Sequence, residues 1–565
     1  MAKRTCSVIC LLLTLLLVLG ACTPAADPGT PVTPTAPPSG GQATPPTGAT
    51  TGEQDIVWPE RLTYWSMLDP RIAAFHDSLS TVPAWVVSQE RFGVEIEFIH
   101  PPAGMENEQF RVLIAGRDLP DIIEHNWLHQ YPGGPARAIS DGVIIDLTPL
   151  KDAGHAPNLV ARINEFDAEF NLRRDLMTAN GEFYVFPGLR GPGLIEQNPN
   201  GPFVRQDWLD ELGLDIPVTV EDWDIMLRRF QSEMGATTPL TWQANFFMQG
   251  STFAAPFDVG HIGATAINHG LFVDRDGIIR YSGLQPGFRQ YLELMAGWYR
   301  DGLIGADFPN QTTETAHNDM VQGISGSAIG QNDSTLAVLR RTMIADDNNV
   351  ELVGVPFPKL NAGDPPLRFF RWDQFYTPGR GAAITTSNRY PEATAMILDW
   401  WYGQNNEDEG YMVWNFGIEG ESFIIEPDGN IIMGPSVTDN PRGMDLNHAR
   451  TVYMLGSSIP PGLRDVRVVS MQRTDPAVID ATTLWAPQDR SAHIPHLSFT
   501  ADEGAARSRL LADINSLADE SFQRFIMGHD SLDNFDNFIA ELHRAGIEDL
   551  LEIYNAAYQR WLALG

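Results

Sequence analysis

Trp65, Trp127, Trp242, Trp372 and Trp414 fall where strands end or loops begin. Near such ends stand Glu124, Asn126, Arg205, Arg371 and Asn415. A sugar ring presents flat C–H faces and a rim of hydroxyls, so aromatic platforms beside polar donors and acceptors are the chemistry of a saccharide cleft. Any one tryptophan alone is more simply core filling, and Trp208 and Trp223, at apolar positions of their helices, read as core. The group at the strand ends reads as cleft wall. On that reading Trp65→Ala or Trp372→Ala weakens ligand binding by more than about tenfold with little loss of stability.

Other reactive side chains point to less. A secreted glycoside hydrolase or polysaccharide lyase stays open as an alternative, because hydrolysis needs two carboxylates about 5 to 10 Å apart across a cleft. Nothing in the spacing of the 72 Asp and Glu residues selects such a pair. Gly323-Ile-Ser-Gly-Ser327 begins like a nucleophile elbow but has serine where the closing glycine belongs. His125 and His129 are spaced by one helical turn, and His493 and His496 flank Pro495, but neither pair sits in a metal-hydrolase motif. Asp274-Arg-Asp-Gly277 reads as a turn between strands. No metal site, cofactor or catalytic residue is assigned.

Cysteine and lysine usage narrows the chemistry further. Cys6 and Cys10 lie within the first 21 residues, Cys22 just beyond them, and the remaining chain has no cysteine, hence no disulfide framework, thiolate zinc site or cysteine nucleophile. Only Lys151 and Lys359 remain after Lys3, which disfavours Schiff-base chemistry. The formal net charge is -34, a field that repels nucleic acid and anionic lipid. It weakly favours a neutral or cationic small ligand, although a local arginine can override it.

The first 22 residues set the compartment. Lys3 and Arg4 precede an apolar run from Val8 to Leu19, broken only by Thr14. That run is too short for a hydrocarbon core of about 30 Å, so residues 1–21 read as a signal peptide. Leu19-Gly-Ala-Cys22 resembles the bacterial lipobox, which makes Cys22 the lipidated first residue of the mature chain; ordinary signal cleavage nearby is the alternative. Residues 22–55 are mostly Thr, Pro, Ala and Gly, cannot bury enough apolar surface to offset their ordering entropy, and read as a disordered tether. The protein is expected extracytoplasmic, lipid-anchored to the outer face of the cytoplasmic membrane.

Positioning elements follow. Arg61 to Ser66 reads as a strand, Trp85 to Phe92 as a helix, and Val94 to Ile99 as an alternating strand. Gln109 to Gly116 has helical spacing and Asp121 to Glu124 is a short buried strand. Alternating strands and helices imply a parallel sheet with crossover helices, with ligands beyond the carboxyl ends of strands. A further strand is expected over 180–187, and a helix after Thr219, which can cap it.

Several stretches in shared order resemble one family. They are Gly116 to Ile123, Gly142-Val-Ile-Ile-Asp-Leu147, Gly181 to Pro187, Arg205-Gln-Asp-Trp-Leu-Asp-Glu-Leu-Gly213 and Trp298-Tyr-Arg-Asp-Gly-Leu-Ile304. Tyr390-Pro-Glu-Ala393, Leu398-Asp-Trp400, Asn415-Phe-Gly-Ile-Glu-Gly420 and Phe525 to Arg560 continue the series. The chain resembles the extracellular solute-binding proteins, family 1, of bacterial ABC importers, in the long lipoprotein branch linked to complex-carbohydrate uptake. The resemblance implies an α/β, two-lobed periplasmic-binding-protein-like fold (type II) with an interlobe cleft and extra C-terminal helices. Residues 56–190 would begin lobe 1, 191–365 form most of lobe 2, and 366–565 complete both. A monomer that closes on an oligosaccharide and delivers it to permease subunits is implied; a peptide-like ligand in the same fold is the alternative. Related alginate-binding members carry a calcium loop at the place of Gln231 to Thr238, which here lacks alternating oxygen ligands, so calcium is not carried over.

Overall fold

A computed structural model of the chain describes residues 56–565, apart from 192–199, 243–250, 261, 264–266, 347–348, 369–375, 440–445, 456–460, 472, 474 and 565. Cys22, the leader and the tether lie outside the described residues, as do Arg371 and Trp372.

The alternating N-terminal segment yields strands β1 (Arg61–Trp65), β2 (Glu95–Ile99), β3 (Ile122–Asn126) and β4 (Phe186–Arg190). In β2 the two-residue period is direct: Ile96 is buried between exposed Glu95 and Glu97. The middle of the chain adds β5 (Asn200–Arg205), β6 (Leu240–Trp242), β7 (Leu271–Val273), β8 (Ile279–Tyr281), β9 (Ser327–Gln331) and β10 (Leu352–Gly354). The last part supplies β11 (Tyr376–Ile384), β12 (Phe423–Ile425), β13 (Ile431–Met433) and β14 (Gly462–Arg464).

Two sheets organise the molecule. A six-stranded sheet has the order β14-β4-β11-β3-β1-β2, and a four-stranded sheet the order β10-β5-β9-β6. The expected parallel pairing holds for β1 with β2 and with β3, and for β14 with β4. Returning strand β11 runs antiparallel to both its neighbours, β3 and β4. The strand expected over 180–187 sits further on, at Phe186–Arg190. Gly181, at φ +83°, and a hydrogen bond from its N–H to the Thr178 carbonyl (3.0 Å) form a turn there instead.

Each sheet has its own core. Leu62, Tyr64, Ile96, Ile123, Phe186 and Ala383 belong to one apolar cluster. In the smaller sheet, neighbours on β5 point to opposite faces: Val204 joins a second cluster and Phe203 a third. The helix Val220–Glu233 shows how sequence sets this up. Thr219 Oγ1 accepts from Asp222 N–H (3.1 Å) while the Asp222 carboxylate accepts from Thr219 N–H (2.8 Å), closing a capping box. Trp223, Met226, Leu227 and Phe230 then fall on one buried stripe.

The chain passes between the sheets three times: from β4 to β5, from β10 back to β11, and from β14 to the helix Pro476–Trp485. That helix lies on the smaller sheet, where Trp485 Nε1–H donates to the Val355 carbonyl (2.9 Å). The C-terminal helices Ala501–Ile526, Phe535–Arg544 and Ile547–Ala563 complete the second core through Leu510, Ile514, Phe522, Phe538, Leu550 and Trp561. No helix among the described residues is long and apolar enough to cross a membrane.

One glycine fixes how β11 meets the larger sheet's carboxyl end. Gly379 has φ +69°, and a Cβ there would lie 2.2 Å from Leu128 Cβ and 2.9 Å from Leu128 N. Gly379→Ala is expected to destabilise the protein by about 1–3 kcal/mol, read as a lower urea midpoint at unchanged slope. An unchanged midpoint would mean that β11 and residue 128 do not pack this closely.

Candidate functional site

Strand β3 carries the candidate chemistry to its carboxyl end. Asn126 accepts a hydrogen bond from His129 N–H (3.0 Å) and so caps the short helix Trp127–Gln130. Two residues earlier, Glu124 is buried. Its Oε2 accepts from Tyr64 Oη–H (3.2 Å) and Ser66 Oγ–H (3.0 Å), and its Oε1 lies 3.8 Å from Arg380 Nη2. Loss of water raises the Glu124 carboxyl above the usual range, with Arg380 and the two hydrogen bonds opposing the rise. A cavity of about 20 Å³, room for one water, lies beside this group and is lined also by Met67, Asp69 and Leu455.

Beyond the short helix opens a larger crevice, about 240 Å³. One wall is the turn Leu128 to Pro135, anchored in the first core by Trp127, Tyr131 and Ala138. The other comprises Ser498 to Thr500 and the first turns of Ala501–Ile526, with Phe499 packed on the second core. The crevice therefore lies between the two sheet-and-helix bodies. Arg111, His129, Tyr131 and Arg507 are the charged or titratable residues of its lining, which contains no Asp or Glu among the described residues. Arg507 sits 4.3 Å over the Phe499 ring, and its positive charge acts on the Tyr554 hydroxyl, against the rise that burial causes there. Elsewhere the bodies touch where Trp561 Nε1–H donates to Asp175 Oδ1 (2.7 Å), beneath the Arg174 guanidinium.

Several residues expected as ligand contacts serve the interior instead. Trp65, Trp127 and Trp242 are 3%, 0% and 1% exposed. Trp65 packs edge-on to His125 and against Phe110, Trp127 lies across Phe110, and Trp242 lies against Phe308, so protein covers rings expected to face sugar. Trp414 is buried too, its Nε1–H donating to the Pro461 carbonyl (2.9 Å). Asn415 is fully buried: its amide donates to the Tyr411 and Leu463 carbonyls, and its oxygen accepts from Asp465 N–H (2.7 Å). It holds β14 to the helix Glu409–Phe416. Arg205, at the end of β5, is engaged by Asp207 and lies over Trp208 (4.8 Å).

Glu124, Asn126 and Trp127 are brought together at one strand end, while Arg205 and Trp242 lie on the other sheet. Sequence reasoning missed Tyr64, Ser66 and Arg380 around Glu124, and Arg111, Phe499 and Arg507 around the crevice. Tyr64 and Ser66 flank Trp65 on the first strand and were within reach; the others converge only through the fold. Ser327 is buried, with its hydroxyl donating to the Pro239 carbonyl (2.9 Å). Among the described residues no three His, Cys, Asp or Glu side chains converge as a metal site would require.

Histidines near the crevice predict acid sensitivity. Loss of water, then Arg380, depresses His125 to about 4; loss of water, then His129 and His493, depresses His496 to about 3. Between the unfolded value near 6.5 and these, the unfolded chain binds more protons, so stability is lost as pH falls through that window. Asp399, raised to about 6 by burial, acts oppositely between about 6 and 4. Glu124 and Asp319, raised too, act with Asp399; the histidines outnumber these three, with His100, His129, His269 and His317 also lowered. The melting midpoint is expected to fall by several degrees from pH 6.5 to 4.5; a flat or rising midpoint would contradict these burials.

No family model matches the chain. At 21% identity over 499 residues, covering 84% of this chain and 89% of the relative, it is similar to lipoprotein LipO of Bacillus subtilis (strain 168). Among solved structures it is similar to the alginate-binding protein AlgQ2 (19% identity, 89% of this chain, 98% of that chain, TM-score 0.65). It is also similar to the Streptococcus pneumoniae ABC-transporter substrate-binding protein FusA in complex with kestose (17%, 89% and 100%, 0.66). A third is an HMO-binding, ABC-transporter-associated solute-binding protein from Bifidobacterium longum infantis (14%, 89% and 99%, 0.70). At these identities the likeness establishes the fold: the chain has the two-lobed α/β fold of the ABC-transporter solute-binding proteins.

Proposed function

We propose that the protein is an extracytoplasmic solute-binding protein that captures an oligosaccharide between its lobes and delivers it to an ABC-type importer. The observation that carries this reading is the crevice of about 240 Å³ whose walls come from two separately cored bodies. A ligand touching both walls shifts the population toward the closed arrangement, because contacts to the second wall exist only there. The kestose complex of FusA, the alginate-binding protein AlgQ2 and the HMO-binding Bifidobacterium protein support a saccharide. Lobe 1 begins with residues 56–190, lobe 2 comprises most of 191–365, and residues 366–565 complete both. A lipid on Cys22, following the leader, holds the monomer at the outer face of the cytoplasmic membrane, in keeping with the lipoprotein relative.

Binding without cleavage is the chemistry that the crevice supports, since glycoside hydrolysis needs two carboxylates flanking the bond and the described lining supplies none. A thermal-shift screen of the mature protein against neutral and acidic oligosaccharides, peptides and divalent metals tests the assignment. A saccharide at 100 times its dissociation constant adds about 2.7 kcal/mol and raises the midpoint. A response to peptides alone would keep the fold and discard the saccharide. Reproducible release of new reducing ends would replace the transport reading with an enzymatic one.

A further inference from the structure

We infer that the interlobe crevice takes an acidic saccharide, one bearing carboxylate or sulfate groups; the inference rests on the saccharide-binding reading above. The chain as a whole carries formal charge -34, so a crevice of neutral character would inherit an anionic field. The lining has the opposite sign. Arg111 reaches it from the helix Glu106–Gly116 on one body and Arg507 from the helix Ala501–Ile526 on the other.

Neither arginine has a carboxylate partner among the described residues. Arg507 lies over the Phe499 ring, and its Nε lacks a hydrogen-bond acceptor. In a protein with nearly twice as many acidic as basic residues, most described arginines hold Asp or Glu, Arg137, Arg205, Arg228, Arg229, Arg467 and Arg560 among them, whereas Arg111 and Arg507, which line one crevice, do not.

Three acids close to the lining in the chain or bonded to it have partners of their own. Asp141 accepts from Tyr131 Oη–H (3.0 Å) and pairs with Arg137. Glu503 caps its own helix and holds Arg560 (Nη1 to Oε1, 2.8 Å). Glu106 accepts from Gly104 N–H (2.8 Å). A guanidinium presents a fixed fork of donors that matches a carboxylate or sulfate with two parallel hydrogen bonds. An anionic ligand bridging Arg111 and Arg507 spans both bodies and so favours closure.

Calorimetric titration of the mature protein with matched pairs tests this: oligogalacturonates and their methyl esters, sialyllactose and lactose, and sulfated and unsulfated maltotetraose. The expected result is that the acidic member of the pair that binds does so at least about tenfold more tightly, and that its affinity falls with added salt. Arg507→Gln and Arg111→Gln each lower the acidic affinity about tenfold, and Arg507→Lys restores part of the loss, which a purely structural role for Arg507 would not produce. Should Arg507→Gln fail to fold, Arg111→Gln, at an exposed side chain, carries the comparison. Saccharides that bind with the neutral member equal or tighter, or with affinity unmoved by both substitutions, overturn the acidic assignment and leave the saccharide reading standing. Absence of binding by every saccharide overturns that reading and this inference with it.

Discussion

Trp65→Ala destabilises the folded protein by about 3–5 kcal/mol, the range for truncating a buried aromatic side chain. Trp65 ends the strand Arg61–Trp65, is 3% exposed, and fills the space between Phe110 and His125. Its removal leaves a void lined by rigid rings, which collapses poorly. This reverses the expectation drawn from sequence, in which the same substitution spares stability and weakens binding. Urea unfolding of the variant, with ligand affinity measured on its folded fraction, decides between the two. A midpoint within error of the parent together with lost affinity would return Trp65 to the cleft wall.

The second large effect is at Glu124. Glu124→Ala removes the acceptor for two buried hydroxyls, Tyr64 Oη–H and Ser66 Oγ–H, and the anion opposite Arg380. Each buried donor left unsatisfied costs about 1–3 kcal/mol, and the adjacent cavity has room for a water to recover part of it. A net loss of about 2–4 kcal/mol is expected. Glu124→Gln keeps a carbonyl oxygen at the same reach and loses the charge interaction alone. With Arg380 partly exposed at 3.8 Å, that change is smaller, about 1 kcal/mol or less. Equal losses for the two variants would show that charge, rather than the two hydroxyl hydrogen bonds, is what Glu124 contributes.

Much of the fold was legible because it is written locally. The alternation in Val94 to Ile99, the capping box at Thr219 and the turn at Asp274 each specify their element from a few adjacent residues. The turn is held by Asp274 Oδ1 accepting from Asp276 and Ile278 N–H (2.9 Å each). The short strand at residue 122 also pointed to the right end of the right sheet, and to Glu124 on it. What sequence alone did not reveal is which side of a strand end faces solvent. Trp65, Trp127 and Trp242 stand at such ends but turn inward, because helices and loops from distant segments cover them.

Asn415 shows the same limit for a polar residue. Its amide is consumed by β14, whose partner strand lies more than two hundred residues earlier in the chain. Arg507 was invisible as a site residue for the converse reason. It lies in a helix whose local pattern says only that one face is buried, and it meets the turn at Leu128 through the tertiary fold alone.

The central claim is that ligand is held between the two bodies. Hydrogen–deuterium exchange of the mature protein, with and without a saccharide identified in the screen, tests it most directly. Protection of backbone amides in both Leu128 to Pro135 and Ser498 to Ser508 on adding the saccharide is the predicted result. Protection confined to one wall, or to a surface away from the crevice, would contradict capture between lobes.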